Sequence, residues 1–331
     1  MISILRLAIW LVIAALTAAA WPPTRPLPLG QLDPASVTLV TNQVYDTASS
    51  GRPLTLDLYL PPSLSPPDVL SASRPAVLAI HGGSWIGGSR TDYQYAPRDT
   101  LLRLARAGVV VVAVDYPLAR PGAPSFPAVV THLRAAVRWI RAHARAWNID
   151  PEKIVALGQA SGAHLAALLA TPDPSAAELD AALGHPSQVQ ALIGFYGAYD
   201  LPALLDDRQL SHDPLYTLLG WSPGSRDTIP ISASPQKLVT FQFPPTLLIH
   251  GTDDLWFRPS QSLRMAETLT RAKVVNKLIL IPGARHGFEA TVNAPTRRDL
   301  LPDIFDFLSA VWNTPPAAIS NASLPSMRGD R

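Results

Sequence analysis

The chain contains no cysteine, which excludes disulfides, thiolate metal sites and a cysteine nucleophile while leaving the redox compartment open. Net charge is almost as scarce. The 27 basic and 25 acidic side chains leave a formal +2 with no long basic block, so nucleic acid is not an expected partner. No repeat at solenoid period and no mid-chain linker interrupts the 331 residues, which argues for one domain rather than an array. What is present is apolar: 47% of the residues, enough for a large buried core.

The two ends differ from the middle. Arg6 precedes an apolar run from Leu7 to Ala20 that closes on Ala18, Ala19 and Ala20, the pattern of a secretory signal. The run is short for a bilayer crossing, although Met1 to Ile4 would lengthen it if Arg6 snorkels. Residues 1–20 therefore read as a cleaved signal or a membrane anchor, and the protein as secreted, periplasmic or membrane-anchored. Pro22, Pro23, Pro26 and Pro28 make residues 21–36 an extended spacer. Beyond Trp312 the composition turns to proline, serine and glycine, and residues 313–331 read as a disordered tail.

Between these ends, residues 37–312 alternate short β-rich runs with stretches of helical period, the signature of an α/β domain with a mostly parallel sheet covered on both faces. Val37 to Tyr45 and Leu54 to Leu60 alternate as an antiparallel edge pair would. Ala76–Ile80, Val109–Val114, Ile154–Leu157, Ala191–Phe195, Thr246–Ile249 and Lys277–Ile281 are short and almost wholly apolar, as strands buried on both faces are. Val130, Leu133, Val137, Ile140, Ala144 and Trp147 mark an amphipathic helix, started by Ser125 and Pro127. Arg134, Arg138, Arg141 and Arg145 on it are expected to form a solvated face. Leu300, Ile304, Phe307, Leu308 and Val311 mark a last helix. The long stretch 198–243, rich in proline and with apolar clusters around Leu204, Leu215 and Leu218, is expected to be a cap over the strand ends.

Four stations along this framework carry chemistry. His81-Gly82-Gly83-Ser84-Trp85 follows a strand directly, and its glycines let backbone amides approach a developing oxyanion; His81 is expected to brace the loop. Asp115-Tyr116-Pro117 follows the next strand. Gly158-Gln159-Ala160-Ser161-Gly162 lies between a strand and an alanine-rich helix, the setting of a nucleophile elbow. His250-Gly251-Thr252-Asp253-Asp254 and Arg285-His286-Gly287 then supply an acid and a histidine after successive strands, completing the order nucleophile, acid, base.

These motifs resemble the α/β-hydrolase superfamily, close to the hormone-sensitive-lipase-like and feruloyl-esterase-like carboxylesterases, over roughly Val37 to Trp312. The resemblance implies an α/β-hydrolase fold with a mostly parallel eight-stranded sheet, oxyanion amides from Gly82 and Gly83, Asp254 as the acid that orients the base, and His286 as that base. It implies a small-molecule ester substrate and an acyl-enzyme route, and no metal or organic cofactor is called for. Asp253 is then a solvated neighbour, and His164 a helix-face residue.

The departure from the family pattern is at the elbow. Where Gly-x-Ser-x-Gly is expected, Gly158 and Gly162 bracket Ala160, and a methyl group has no nucleophilic atom. Ser161 is adjacent, and in this frame its backbone NH would complete the oxyanion hole. Three explanations stand at this level: a deliberate change from serine, a natural hydrolase-like protein without standard chemistry, or Ser161 acting as a poor substitute. Besides ester hydrolysis, the sequence admits an exported, non-catalytic protein that binds a ligand or partner under its cap, and a peptidase or amidase on the same scaffold.

Overall fold

A computed structural model describes residues 37–62, 73–92, 99–207, 211–222, 229–293 and 296–313. The readings of 1–20 as signal or anchor, of 21–36 as spacer and of nearly all the 313–331 tail lie outside the described residues. Among the described residues, no helix is long and apolar enough to cross a membrane.

Eight strands form one sheet: β1 (Thr38–Thr47), β2 (Pro53–Leu60), β3 (Arg74–Ile80), β4 (Val110–Val114), β5 (Ile149–Gln159), β6 (Ala191–Phe195), β7 (Thr246–Gly251) and β8 (Asn276–Ile281). Their order is β1-β2-β4-β3-β5-β6-β7-β8. β2 runs antiparallel to both β1 and β4, and the pairings from β4 through β8 are parallel. All residues of β4 and β6 are buried, the condition under which a strand reads as an unbroken apolar run. The order reverses around β3, which lies between β4 and β5, so the loops leaving the C-terminal ends of these strands meet at one crevice. β5 begins well before its apolar run. Its first part, with Pro151 and Glu152 exposed, pairs through Ile149 with Arg74, ahead of a register shift.

The sheet is flanked by α1 (Asp99–Arg106), α2 (Ala128–Ala142), α3 (Ser161–Ala170), α4 (Pro174–Leu183), α7 (Ser260–Arg271) and α8 (Leu301–Asn313). Every residue of α3 is buried, which explains its lack of any charged side chain. On α8 the expected apolar positions Ile304, Phe307, Leu308 and Val311 all face the core.

Two expectations about α2 are corrected. Its start has no side-chain cap; Ser125 contributes only its carbonyl, 2.7 Å from Val129 N, and its hydroxyl is buried without a partner among the described residues. Nor do its arginines form a solvated face, because Arg134, Arg138 and Arg141 are buried and only Arg145 is exposed. The physical reason is that α4 and its flanking loops cover that side. Arg138 Nη1 lies 2.9 Å from Asp180 on α4, and Arg134 Nη2 donates to Thr171 O at 2.8 Å. Arg141 donates to the carbonyls of Pro151, Pro186 and Gln188, a task suited to a planar fork of donors.

Between β6 and β7 the chain forms α5 (Leu201–Leu205), α6 (Asp213–Leu219) and 3-10 turns at Ile231–Ala233 and Pro235–Leu238. Leu204, Leu215 and Leu218 are turned into the main core rather than outward. Phe126 N donates to Leu218 O at 3.2 Å, fastening this stretch to the loop before α2.

Candidate active site

The turn from β5 into α3 is made by Ala160, whose φ of 50° and ψ of −119° lie where a side chain is strained. Its backbone is held on both sides: its NH donates to Phe195 O at 3.0 Å, and its carbonyl accepts from Ala163 and His164. The flanking glycines are required by close approach. A Cβ on Gly158 would stand 2.3 Å from Gly162 O, and one on Gly162 would stand 2.2 Å from Ile80 O. The methyl of Ala160 faces the glycine loop, 3.4 Å from where a Cβ on Gly82 would be. Ser161 points elsewhere: it is fully buried, its Oγ beside the Tyr116 phenol and without a hydrogen bond of regular geometry.

The glycine loop is anchored at both ends. His81 stacks on Tyr116 with centroids 4.2 Å apart, and its Nδ1 lies 2.6 Å from Gly82 O, the bracing contact expected of it. Burial lowers the His81 pKa, so the ring is neutral and Nδ1–H donates. Gly83 has φ of 116°, and a Cβ there would meet Gly87 O at 2.2 Å. Further on, Arg90 Nε lies 2.8 Å from Asp57 and its guanidinium also holds Asp115 and Asn42. Asp115 thereby serves as an anchor of this loop. Among the described residues, the amides of Gly82, Gly83 and Ser161 donate to no protein acceptor.

The acid and the histidine are paired. His286 Nδ1 lies 2.7 Å from Asp254 Oδ2, while Asp254 Oδ1 accepts from the NH groups of Trp256 and Phe257 at 2.8 and 3.0 Å. Burial pushes the Asp254 pKa up, but hydrogen bonds from His250 and His286 outweigh it and hold the carboxyl well below the usual carboxylate range. With Nδ1–H donating to this carboxylate, His286 keeps Nε2 as an acceptor able to take a proton. Asp253 is exposed, and among the described residues its carboxylate takes only the Thr252 hydroxyl at 3.0 Å.

Contacts between loops connect these parts. The Trp85 ring, on the glycine loop, lies 6.0 Å from Phe257, and Phe257 lies 5.5 Å from His286. Phe195, whose carbonyl binds Ala160 N, precedes Tyr196, whose ring is 4.6 Å from His286. Gln159 Nε2 reaches Glu289 Oε1 at 2.6 Å. A cleft of about 450 Å³ lies apart from this constellation, lined by residues of α5, the start of α7 and the Asp207–Arg258 ion pair.

The BD-FAE family model matches residues 56–269, from β2 into α7, a span that includes the glycine loop, the elbow and Asp254. The chain belongs to the BD-FAE family. This BD-FAE protein is 30% identical over 241 residues to a probable isoprenylcysteine alpha-carbonyl methylesterase of Arabidopsis thaliana, covering 70% of this chain and 48% of that protein. It is 30% identical to esterase LipC of Mycobacterium tuberculosis, covering 69% and 57%, and 30% identical to an ethyl acetate hydrolase of Pseudomonas putida, covering 73% of each. The aligned part spans about half the length of the first two relatives. The butyrate-bound esterase of Thermogutta terrifontis superposes with a TM-score of 0.60 at 27% identity, covering 83% of this chain and 92% of that one. A truncated carbohydrate esterase from gut microbiota, 22% identical with a TM-score of 0.68 and covering 86% and 100%, shares the fold.

Three buried residues support the site in roles that their sequence context did not announce. His250 accepts from Ser262 Oγ at Nδ1 (2.7 Å) and sits with Nε2 2.8 Å from Phe257 O and 3.3 Å from Asp254, so it holds the acid from behind. His164, expected on a helix face, is fully buried: it accepts from Trp85 Nε1 at 3.0 Å and donates from Nε2 to Ala233 O at 2.9 Å. Burial lowers its pKa to about 4. The third is Glu289. The signal for His164 was an isolated polar residue in an apolar helix; His250 stood in the acid's own motif without marking it as that acid's support, and Glu289 gave no signal.

Proposed function

We propose that this protein is built as a carboxylic-ester hydrolase of the acyl-enzyme type, and that Ala160 leaves the chain as it stands with feeble turnover. Its family, its esterase relatives and the pairing of His286 with Asp254 support this reading. The observation that carries it is Ala160 itself. The residue holds the strained backbone of an elbow beneath Gly82, in the place from which a hydroxyl would act, while Ser161 is sealed in the interior and is no substitute.

With serine at position 160, His286 Nε2 would take the hydroxyl proton as the oxygen attacks the ester carbonyl, then return it to the departing alcohol. Asp254 would hold the imidazole tautomer, and the amides of Gly82, Gly83 and Ser161 would carry the oxyanion. Without that hydroxyl, the oxyanion amides and substrate binding can still favour attack of water on a bound ester, which elsewhere leaves about 10³- to 10⁴-fold catalysis over solution. Small esters are the proposed substrates, in keeping with relatives named an esterase and an ethyl acetate hydrolase. The stretch between β6 and β7 is proposed to bound the substrate side, and residues 1–20 to direct export or anchoring.

The test is Ala160→Ser, verified as folded by circular dichroism and assayed with short p-nitrophenyl esters and a fluorophosphonate label. Activity rising by orders of magnitude is expected. If the folded variant neither cleaves nor labels, the reading fails, and parallel assays with peptides and amides decide the amidase alternative. The elbow backbone at 160 carries the hydrolase reading, while the missing hydroxyl there favours a second one, a non-catalytic binder. A tight ligand found by thermal shift, together with an inert serine variant, would establish it.

A further inference from the structure

The elbow and His286 belong to loops from different strands, and a side-chain contact joins the two loops. Glu289, in the run His286-Gly287-Phe288-Glu289, makes that contact. It is buried, and both carboxylate oxygens are engaged. Oε1 accepts from Gln159 Nε2 at 2.6 Å, on the residue immediately before Ala160. Oε2 accepts from the Thr100 hydroxyl of α1, and that hydroxyl accepts in turn from Ala290 N at 2.9 Å. The main chain on either side is fastened too, by Tyr196 OH to Phe288 O at 2.9 Å and by Leu300 N to Ala290 O at 2.7 Å. A buried carboxylate is costly unless its acceptors are filled. Here the donors that fill them come from the elbow and from α1.

We infer that Glu289 is a positioning residue that, through Gln159, sets the separation between the side chain at position 160 and His286. It touches neither substrate nor reacting atoms. Its effect on rate rests on the hydrolase reading above; its effect on the placement of His286 does not. A residue that only stabilised the fold would change melting temperature and leave proton transfer alone. A residue that positions the two groups changes kcat and leaves KM nearly as it was, because misplacement by a fraction of an ångström weakens transfer more than binding.

In the full-length chain carrying Ala160→Ser, Glu289→Ala is expected to lower kcat by about tenfold or more with KM changed less than about twofold. Glu289→Gln, which keeps an acceptor for Gln159, is expected to restore most of the rate. Gln159→Ala should resemble Glu289→Ala, and the double variant should be no worse than the poorer single one, since both remove one tie. An unchanged kcat in Glu289→Ala, or losses that multiply in the double variant, would overturn the inference. A second arm uses the chain with Ala160 in place. The downfield proton resonance of His286 Nδ1–H, bonded to Asp254, is expected to shift or broaden in Glu289→Ala, and a resonance identical to the parent's refutes the inference. If Ala160→Ser is inert, the hydrolase reading falls, and this resonance still decides the role of Glu289.

Discussion

The two halves of the site differ in what they retain. At His286 and Asp254 both the framework and the side chains proposed to react are present: the imidazole has its carboxylate, and the carboxylate has His250 and two backbone amides behind it. At the elbow the framework alone remains. Ala160 keeps a positive φ, and the flanking glycines keep contacts that no side chain would permit, yet no oxygen sits there to react. The contrast teaches that the geometry of an elbow is enforced by its surroundings. The backbone strain at 160 is imposed by β5, α3 and the glycine loop and does not depend on a serine hydroxyl.

The largest test of that contrast is chemical. Ala160→Ser should raise turnover by about 10³-fold or more if, as proposed, the missing atom is the nucleophile. His286→Ala should abolish that gain in the serine variant and cost the Ala160 chain less than about tenfold, because a histidine without a nucleophile is worth little. Initial rates on one ester across the four chains decide this, and equal losses in both backgrounds would break the comparison.

Next comes the framework. Gly162→Ala should destabilise the fold by about 3 kcal/mol or more in denaturant unfolding, because the added carbon would press on backbone carbonyls that have nowhere to move. A near-neutral result would show the elbow to be adaptable rather than imposed.

His164 offers a comparable effect through pH. Its folded pKa of about 4 lies below the ordinary 6.5, so the unfolded chain binds the proton more readily between these values. Its stabilising contribution is therefore complete above pH 6.5 and is lost as pH falls toward 4, by about 3 kcal/mol at most. Unfolding free energies for the parent and His164→Gln should differ in slope across this window, and identical slopes would refute the assignment. Asp254, held below the carboxylate range, adds stability that persists above that range and fades only in stronger acid.

The smallest expected effect is the most direct measure of strain. Ala160→Gly, relieving a positive φ, should stabilise the protein by about 1 kcal/mol, read as a raised denaturant midpoint. A glycine that destabilises would mean that the methyl packs usefully in the site.

The strands were the most legible part of the chain, because β4 and β6 are buried on both faces and so are uninterrupted apolar runs. The opening of β5 was not legible, since its exposed, polar residues pair at the margin of the sheet. The arginines of α2 show a different limit: helical period separates apolar from polar faces, but says nothing of whether another element will cover the polar one. The pairing of Asp254 with His286 matches the order of motifs along the chain. The supports of the site were hidden for the same reason as the arginine contacts. His164 and Glu289 act through partners far away in sequence, Ala233 for His164 and Gln159 for Glu289, whereas His250 meets Asp254 and Phe257 only because the loop after β7 folds back on it.

Arg90 extends the site's dependence to the rim of the molecule. One guanidinium clasps Asp57 of β2, Asp115 after β4 and Asn42 of β1, and it lies just downstream of the glycine turn. The outermost strand is thereby moored to the loop whose amides face position 160. Lesions at Asn42, remote from any reacting atom, should register as slackness in that loop, so surface variation at this border is constrained by events in the interior.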